Sequence, residues 1–526
     1  MSSVPASPLP VLNAALLGAL AADLELAGWR VDRVEELIGP RAAQALMREE
    51  RTPALVALKD NTDPASLLTR LFMLGDAIPA NALGEALPTL GLDGLCDLGL
   101  VSNEGDSIRA LFDLRPHSAT LPSPVRSSDE GGAQEVAHHW WIMSDLAESV
   151  TGAPLQPDHV LGIGGATTSL LRMTMRAQVS SSLDLGCGCG IQALYLATHS
   201  RRVIATDISE RACVFTAINA ALNGVENIEI LCGSLYEPVE GMTFDLITSN
   251  PPFVITPQAI RERGFMEYRD GGMERDHLVA TVIRQAPTYL RDGGKLQILG
   301  NWEISSGVDP HREWHARVEQ WLEGLPLKSW VVQRDILDPA QYAELWLRDS
   351  GGVFTPRSVF ECDYAEWLAD FERANVEWIG MGFLVAEKID EAGAPLSIFD
   401  NVHNGRFPLG ADVERTMNVL QFPDDIEDFA LVRCGDVTEE RHYTPGQPNP
   451  EVMILHQGGA MGQSIRVGTA VSALVGASDG DITVGQFISA YAMLAEEEIG
   501  EVRTQVMSAL PELLRSGMLY LPYALQ

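Results

Sequence analysis

Three short stretches bring together residue types at spacings that can do chemistry. The first is Leu183-Asp184-Leu185-Gly186-Cys187-Gly188-Cys189-Gly190, an apolar run that enters a turn with glycine at alternate positions, and a helical pattern leaves it from Ile191. Glycine there removes the Cβ atoms, so a ligand can lie against bare backbone amides at the start of a helix. The second is Arg202-Val203-Ile204-Ala205-Thr206-Asp207, a buried-strand pattern ending in an acid. It follows about twenty residues on, where an open α/β sheet places a carboxylate to accept both hydroxyls of a ribose. The third is Phe244 to Ser249, another strand, running into Asn250-Pro251-Pro252-Phe253. The Asn250 side-chain carbonyl and the Pro251 backbone carbonyl are two acceptors on a loop stiffened by two prolines, and Phe253 offers a face for a flat substrate. Two such acceptors can hold both N–H bonds of a planar amide or aryl amine as charge develops on its nitrogen.

In this order, the D-x-G-x-G-x-G turn, the strand-end acid and N-P-P-F resemble the class I S-adenosylmethionine-dependent methyltransferases. They look most like the amino-methylating branch, with its release-factor glutamine methyltransferases and rRNA and tRNA base (small-domain) methyltransferases. The run through Val254-Ile255-Thr256-Pro257 leans toward the glutamine type. The resemblance covers roughly residues 155 to 390. It implies S-adenosyl-L-methionine as cofactor and N-methylation of a planar nitrogen, either a nucleobase exocyclic amine in RNA or DNA or a glutamine amide in a protein such as a translation factor. Asp184, Gly186, Cys187, Gly188 and Gly190 then line the methionine and ribose side of the cofactor, Asp207 takes the ribose hydroxyls, and Ile208 flanks the adenine. Ser234 stands where relatives often carry an acid for the adenine amine, a departure from the family pattern. Asn250, Pro251, Pro252 and Phe253 are the implied catalytic residues. Asp270, in Arg269-Asp270-Gly271-Gly272, borders the implied acceptor pocket. Thr167 or Thr168 is expected as the N-cap of a helix from Ser169, with the cofactor's carboxylate as a second use. A reading of another class is a catalytically idle adaptor of this fold that works through its flanking modules; the intact N-P-P-F loop argues against it.

The chain has 526 residues, too many for one core, and a formal charge of −35. Residues 150–305 carry 12 basic and 16 acidic side chains, whereas residues 390–526 carry 7 and 20, so the excess sits mainly in the flanks. An acidic chain lacks the general phosphate attraction of nucleic-acid binders, which favours a protein acceptor or one delivered by a partner. The longest apolar runs, such as Val11 to Ala22, are too short to span a bilayer. Seven cysteines without a paired framework fit a reducing compartment, and the cytoplasm is expected. His138-His139 has no further ligand at metal spacing, so no metal is expected, and Trp140-Trp141 reads as core.

The elements that must position these residues alternate strand and helix from 181 to 301. That pattern specifies an α/β fold, a Rossmann-like seven-stranded methyltransferase sheet, closed by strands at Trp330–Ile336 and Glu377–Ile389. The expected organisation is a helical N-terminal domain over 1–115, winged-helix-like near 80–101, then a linker over 116–134. The methyltransferase domain spans 135–390, with a helical insertion at 337–376, and a small acidic, winged-helix-like α+β domain spans 391–526.

Overall fold

The computed structural model describes residues 8–122, 135–264, 266–349, 355–390, 393–402, 405–421 and 423–521. Apolar runs at 203–206 and 296–304 are buried on both faces, as strands between two helix layers must be. The central sheet comprises β1 (Val179–Leu185), β2 (Ser200–Asp207), β3 (Ile228–Cys232), β4 (Phe244–Ser249), β5 (Leu290–Ser305), β6 (Leu327–Leu337), β7 (Val376–Lys388) and β8 (Leu396–Asn401). Their order is β8-β6-β7-β5-β4-β1-β2-β3. All neighbours are parallel except β7, which is antiparallel to β5 and β6. This is the Rossmann-like sheet that the motifs implied, widened by one strand. The order reverses between β1 and β4, and a crevice opens there beyond the strands' C-terminal ends.

The helices that matter for the crevice are α1 (Gly165–Met173), α2 (Ile191–Ala197), α3 (Glu210–Leu222), α4 (His277–Tyr289), α5 (Ala316–Leu322), α6 (Pro339–Asp349) and α7 (Arg357–Arg373). α1 starts four residues earlier than its sequence suggests. Its N-cap is Gly164 with no side-chain cap, and the Thr168 hydroxyl donates back to the Gly164 carbonyl at 3.0 Å. The capping role expected of Thr167 or Thr168 is therefore corrected.

The N-terminal part is helical up to residue 74 and then adds a three-stranded antiparallel sheet from Ile78–Pro79, Val101–Glu104 and Ser107–Ala110. It is not hung on a linker. Leu17, Leu20 and Trp29 share one buried cluster with Phe112, Trp140 and, from α3, Phe215 and Ile218. Residues 116–122, expected in the linker, belong to a strand, Asp113–Pro122, that pairs residue for residue with Glu135–Ser144. Asn219 of α3 and Asn223, which caps its C-terminal end, hold this hairpin. Asn219 Oδ1 accepts from the Met143 N–H and Asn223 Oδ1 from the Trp141 N–H, each at 2.8 Å. A proline- and serine-rich composition is thus overridden by donors and acceptors that only the folded α3 presents. Residues 123–134 lie outside the described residues.

The boundary expected at 390 is likewise corrected, because β8 pairs with residues 328–333 of β6 and completes the sheet edge. Beyond it, the helix Gly410–Asn418 seats on α1. A Cβ at Gly410 would lie 2.1 Å from the Thr174 carbonyl, so only glycine allows the approach. A three-stranded antiparallel sheet (Val437–His442, Val452–Gln457, Ser464–Val467) and three helices (Thr469–Ala477, Val484–Ala495, Ile499–Arg515) close the chain around a core of their own. No helix among the described residues is long and apolar enough to cross a membrane.

Candidate active site

The glycine turn joins β1 to α2. Gly186, Gly188 and Gly190 have φ of 81°, 54° and 79°, the left-handed region where a side chain is strained. Their uses differ. A Cβ on Gly186 or Gly188 would meet nothing within 4 Å, whereas one on Gly190 would strike the Thr216 side chain of α3 at 2.7 Å. The first two open space, and the third lets α3 close against the turn. The amides of this turn face inward rather than toward a ligand. Gly186 and Cys187 N–H both donate to the Thr206 carbonyl, at 2.8 and 2.9 Å, and Gly188 N–H donates to Asp207 Oδ2 at 2.9 Å. What the turn offers a ligand is room.

Asp207 ends β2 and also accepts the Ser209 N–H on Oδ1 at 2.9 Å. Each carboxylate oxygen keeps a second lone pair for an outside donor. Burial pushes its carboxyl up, the Gly188 and Ser209 amides pull it back, and the nearby Glu267 charge adds to the rise. Asp184 lies beneath the turn, 1% exposed, with Oδ2 lacking any hydrogen-bond partner. Burial, aided by Asp207, lifts its carboxyl to about 7. Burial also holds both turn cysteines as thiols, Cys187 raised far and Cys189 pushed up to about 11.

Asn250 leaves β4 toward the same crevice. Its Nδ2 donates to Thr167 Oγ1 on α1 at 3.3 Å, and the Ser249 hydroxyl ties β4 to β1 by donating to the Leu185 carbonyl at 2.7 Å. The loop beyond is braced from the insertion. The buried Tyr342 hydroxyl of α6 accepts from the Ile255 N–H at 3.1 Å and from Asn301 Nδ2 of β5 at 2.8 Å. Asp270 braces it from the other side, accepting from the Thr256 hydroxyl at 2.7 Å, Arg269 Nε at 2.6 Å and the Met266 N–H at 2.8 Å. Gly271 packs on the Pro252 carbonyl, where a Cβ would come to 2.7 Å.

A cavity of about 310 Å³ lies where these elements meet, lined among others by Gly186, Cys187, Gly188, Asp207, Ile208, Ser234, Asn250, Pro251 and Pro252. The structure thus brings together most of the residues the sequence singled out. Asp184, Gly190, Phe253 and Asp270 stand behind the wall instead. Phe253 lies edge-on to Trp346 of α6, ring centroids 6.2 Å apart. Sequence reasoning missed several wall residues: His159 before α1, Gln192 on α2, and Glu267, Tyr268 and Met273 after the Asn-Pro-Pro-Phe loop. Glu267 and Tyr268 sit on a four-residue helix, Glu267–Asp270, too short to leave a periodic signal. Among the described residues, no group of three or more His, Cys, Asp or Glu is placed to hold a metal.

Residues 163–307 match the methyltransferase small domain. That segment contains the glycine turn, Asp207 and the Asn-Pro-Pro-Phe loop. Residues 26–111 match a domain of unknown function (DUF7059). The chain is similar to ribosomal RNA small subunit methyltransferase C of Alcanivorax borkumensis, 30% identical over 132 residues, covering 25% of this chain and 34% of that protein. It is also similar to the release factor glutamine methyltransferase of Yersinia pestis, 34% identical over 176 residues, covering 32% of this chain and 61% of that one. The chain therefore spans between about a third and three-fifths of these relatives' own lengths. A solved class I S-adenosylmethionine-dependent methyltransferase from Listeria monocytogenes, titled putative, aligns at 14% identity and a TM-score of 0.28, over 48% of this chain and 69% of that one.

Proposed function

We propose that this protein is an S-adenosylmethionine-dependent N-methyltransferase acting on a planar nitrogen of a macromolecule, a nucleobase amine or a glutamine amide. The observation that carries the reading is that the glycine turn, Asp207 and Asn250 face one cavity. The match to the methyltransferase small domain supports it. Orphaned polar atoms at the cavity fit such a ligand, since the Gln192 Oε1 and Glu267 Oε2 atoms are buried without partners and Gly186 and Gly188 leave room a Cβ would fill.

When bound, S-adenosylmethionine supplies a methyl group on a positively charged sulfur. Asp207 accepts the ribose hydroxyls, Ile208 flanks the adenine, and Ser234 takes the place of the usual acid. Asn250 has its Nδ2 engaged by Thr167, which turns Oδ1 to the acceptor nitrogen. Oδ1 and the Pro251 carbonyl would receive that nitrogen's N–H bonds and orient its lone pair for attack on the methyl group that the cofactor supplies. The proline pair, braced by Tyr342 and Asp270, keeps both acceptors aimed. The two flanks, read as winged-helix-like modules, serve to dock the acceptor, and the cytoplasm is the matching location.

Incubation of the purified chain with methyl-labelled cofactor and cell extract, followed by RNase or protease, tests the reading. Label released by one of the two enzymes identifies the acceptor class. Label resistant to both, or no label, sinks the macromolecular assignment.

A further inference from the structure

Glu267 and Tyr268 line the cavity, and the reading above gives neither a contact with a particular group of the ligand. Their short helix is pinned on both sides. The Glu267 N–H donates to the Pro157 carbonyl at 3.0 Å, and Asp270 at its end accepts from the Met266 N–H at 2.8 Å. Glu267 Oε2 and the Tyr268 hydroxyl are each shielded from solvent and have no hydrogen-bond partner. A shielded carboxylate oxygen without a donor is costly, which points to a ligand group in that place. The charged side chains of the wall are Asp207 and Glu267; no Lys or Arg is among the described wall residues, and burial keeps His159 toward its neutral form. The cavity therefore presents two acids and no fixed cation to its occupant.

We propose that Glu267 is a second carboxylate ligand of the cofactor and that, together with Asp207, it makes the cavity prefer the sulfonium donor over the thioether product. This rests on the cofactor reading above. In the transfer, the lone pair of the acceptor nitrogen forms the new nitrogen–carbon bond, sulfur keeps the electron pair of the broken carbon–sulfur bond and loses its positive charge, and the nitrogen's proton leaves to solvent water. The product is thus one positive charge poorer in a negatively charged, partly desolvated site, where that charge counts for more than in water. Product departure is favoured by the wall itself.

The test is calorimetric binding of S-adenosylmethionine and S-adenosylhomocysteine to the full chain, free of any acceptor. In E267Q the sulfonium form loses affinity about tenfold, the scale of one charged contact, while the thioether form changes far less. E267D, which keeps the charge, retains the preference, and melting curves verify that both variants are folded. Equal losses for the two ligands, or no loss for either, overturn the proposal while leaving the cofactor reading intact. A wild-type chain that binds neither ligand overturns the cofactor reading, and this proposal with it.

Discussion

At the residue scale, the proposed reaction turns on Asn250, held to Thr167 at 3.3 Å with its backbone at the end of a buried strand. Asn250→Ala removes one acceptor for the substrate nitrogen and leaves the glycine turn and Asp207 untouched. Cofactor affinity should stay near wild type while the transfer rate falls by about a hundredfold or more, the loss seen when one transition-state contact is deleted. Unchanged transfer removes Asn250 from the chemistry. Asp184 makes a separate prediction about pH. Its carboxyl is raised to about 7 by burial, above its ordinary range, so the folded state binds its proton more tightly than the unfolded chain. The associated stability is fully present below about pH 4 and is lost as the pH rises through 7, on the order of 4 kcal/mol across that window. Asp184→Asn should flatten this part of the pH dependence. Melting temperatures of both proteins from pH 5 to 8 provide the check, and parallel curves would falsify the assignment.

At the scale of elements, the active loop is held by a helix pair whose purpose the sequence left open. α6 and α7 bury Tyr342, Trp367 and Phe371 against β7, and the Tyr342 hydroxyl joins that layer to the loop at Ile255 and to β5 at Asn301. Tyr342→Phe keeps the ring packing and strands two buried donors. It should cost about 1–3 kcal/mol in stability. Because the loop then loses its brace, the transfer rate should drop with cofactor affinity preserved, a split that simple destabilisation does not produce. Parallel loss of both, or of neither, would mean that Tyr342 does not position the loop.

At the scale of the whole molecule, the catalytic sheet is not an independent module. One buried cluster runs from Leu17 through Trp29 and Trp140 to Phe215 and Ile218 on α3. The buried Arg211 of α3 pairs with Asp145 and reaches the Pro8 carbonyl at 2.7 Å. A fragment of residues 155–390, though it contains every motif, exposes that face of α3 and loses the β8 edge. It should be insoluble or melt well below the full chain, and a fragment as stable as the full chain would show that the flanks merely sit beside it.

The sequence by itself determined the local parts of this protein. Glycines at 186, 188 and 190, a strand-end acid at 207 and prolines at 251 and 252 specify backbone shapes that neighbours in the chain dictate, so the turn, the sheet and part of the cavity wall were legible there. Tertiary structure decided the rest, because it depended on partners distant in the chain. Asn219 and Asn223 turned a proline-rich linker into a hairpin strand; Thr216 gave Gly190 a packing role, and Tyr342 turned an insertion into a brace. Glu267 entered the cavity on a helix of four residues, too short for any periodicity to reveal. A contact between residues far apart in the chain leaves no pattern along it, since each side chain is chosen by a neighbour that only folding supplies.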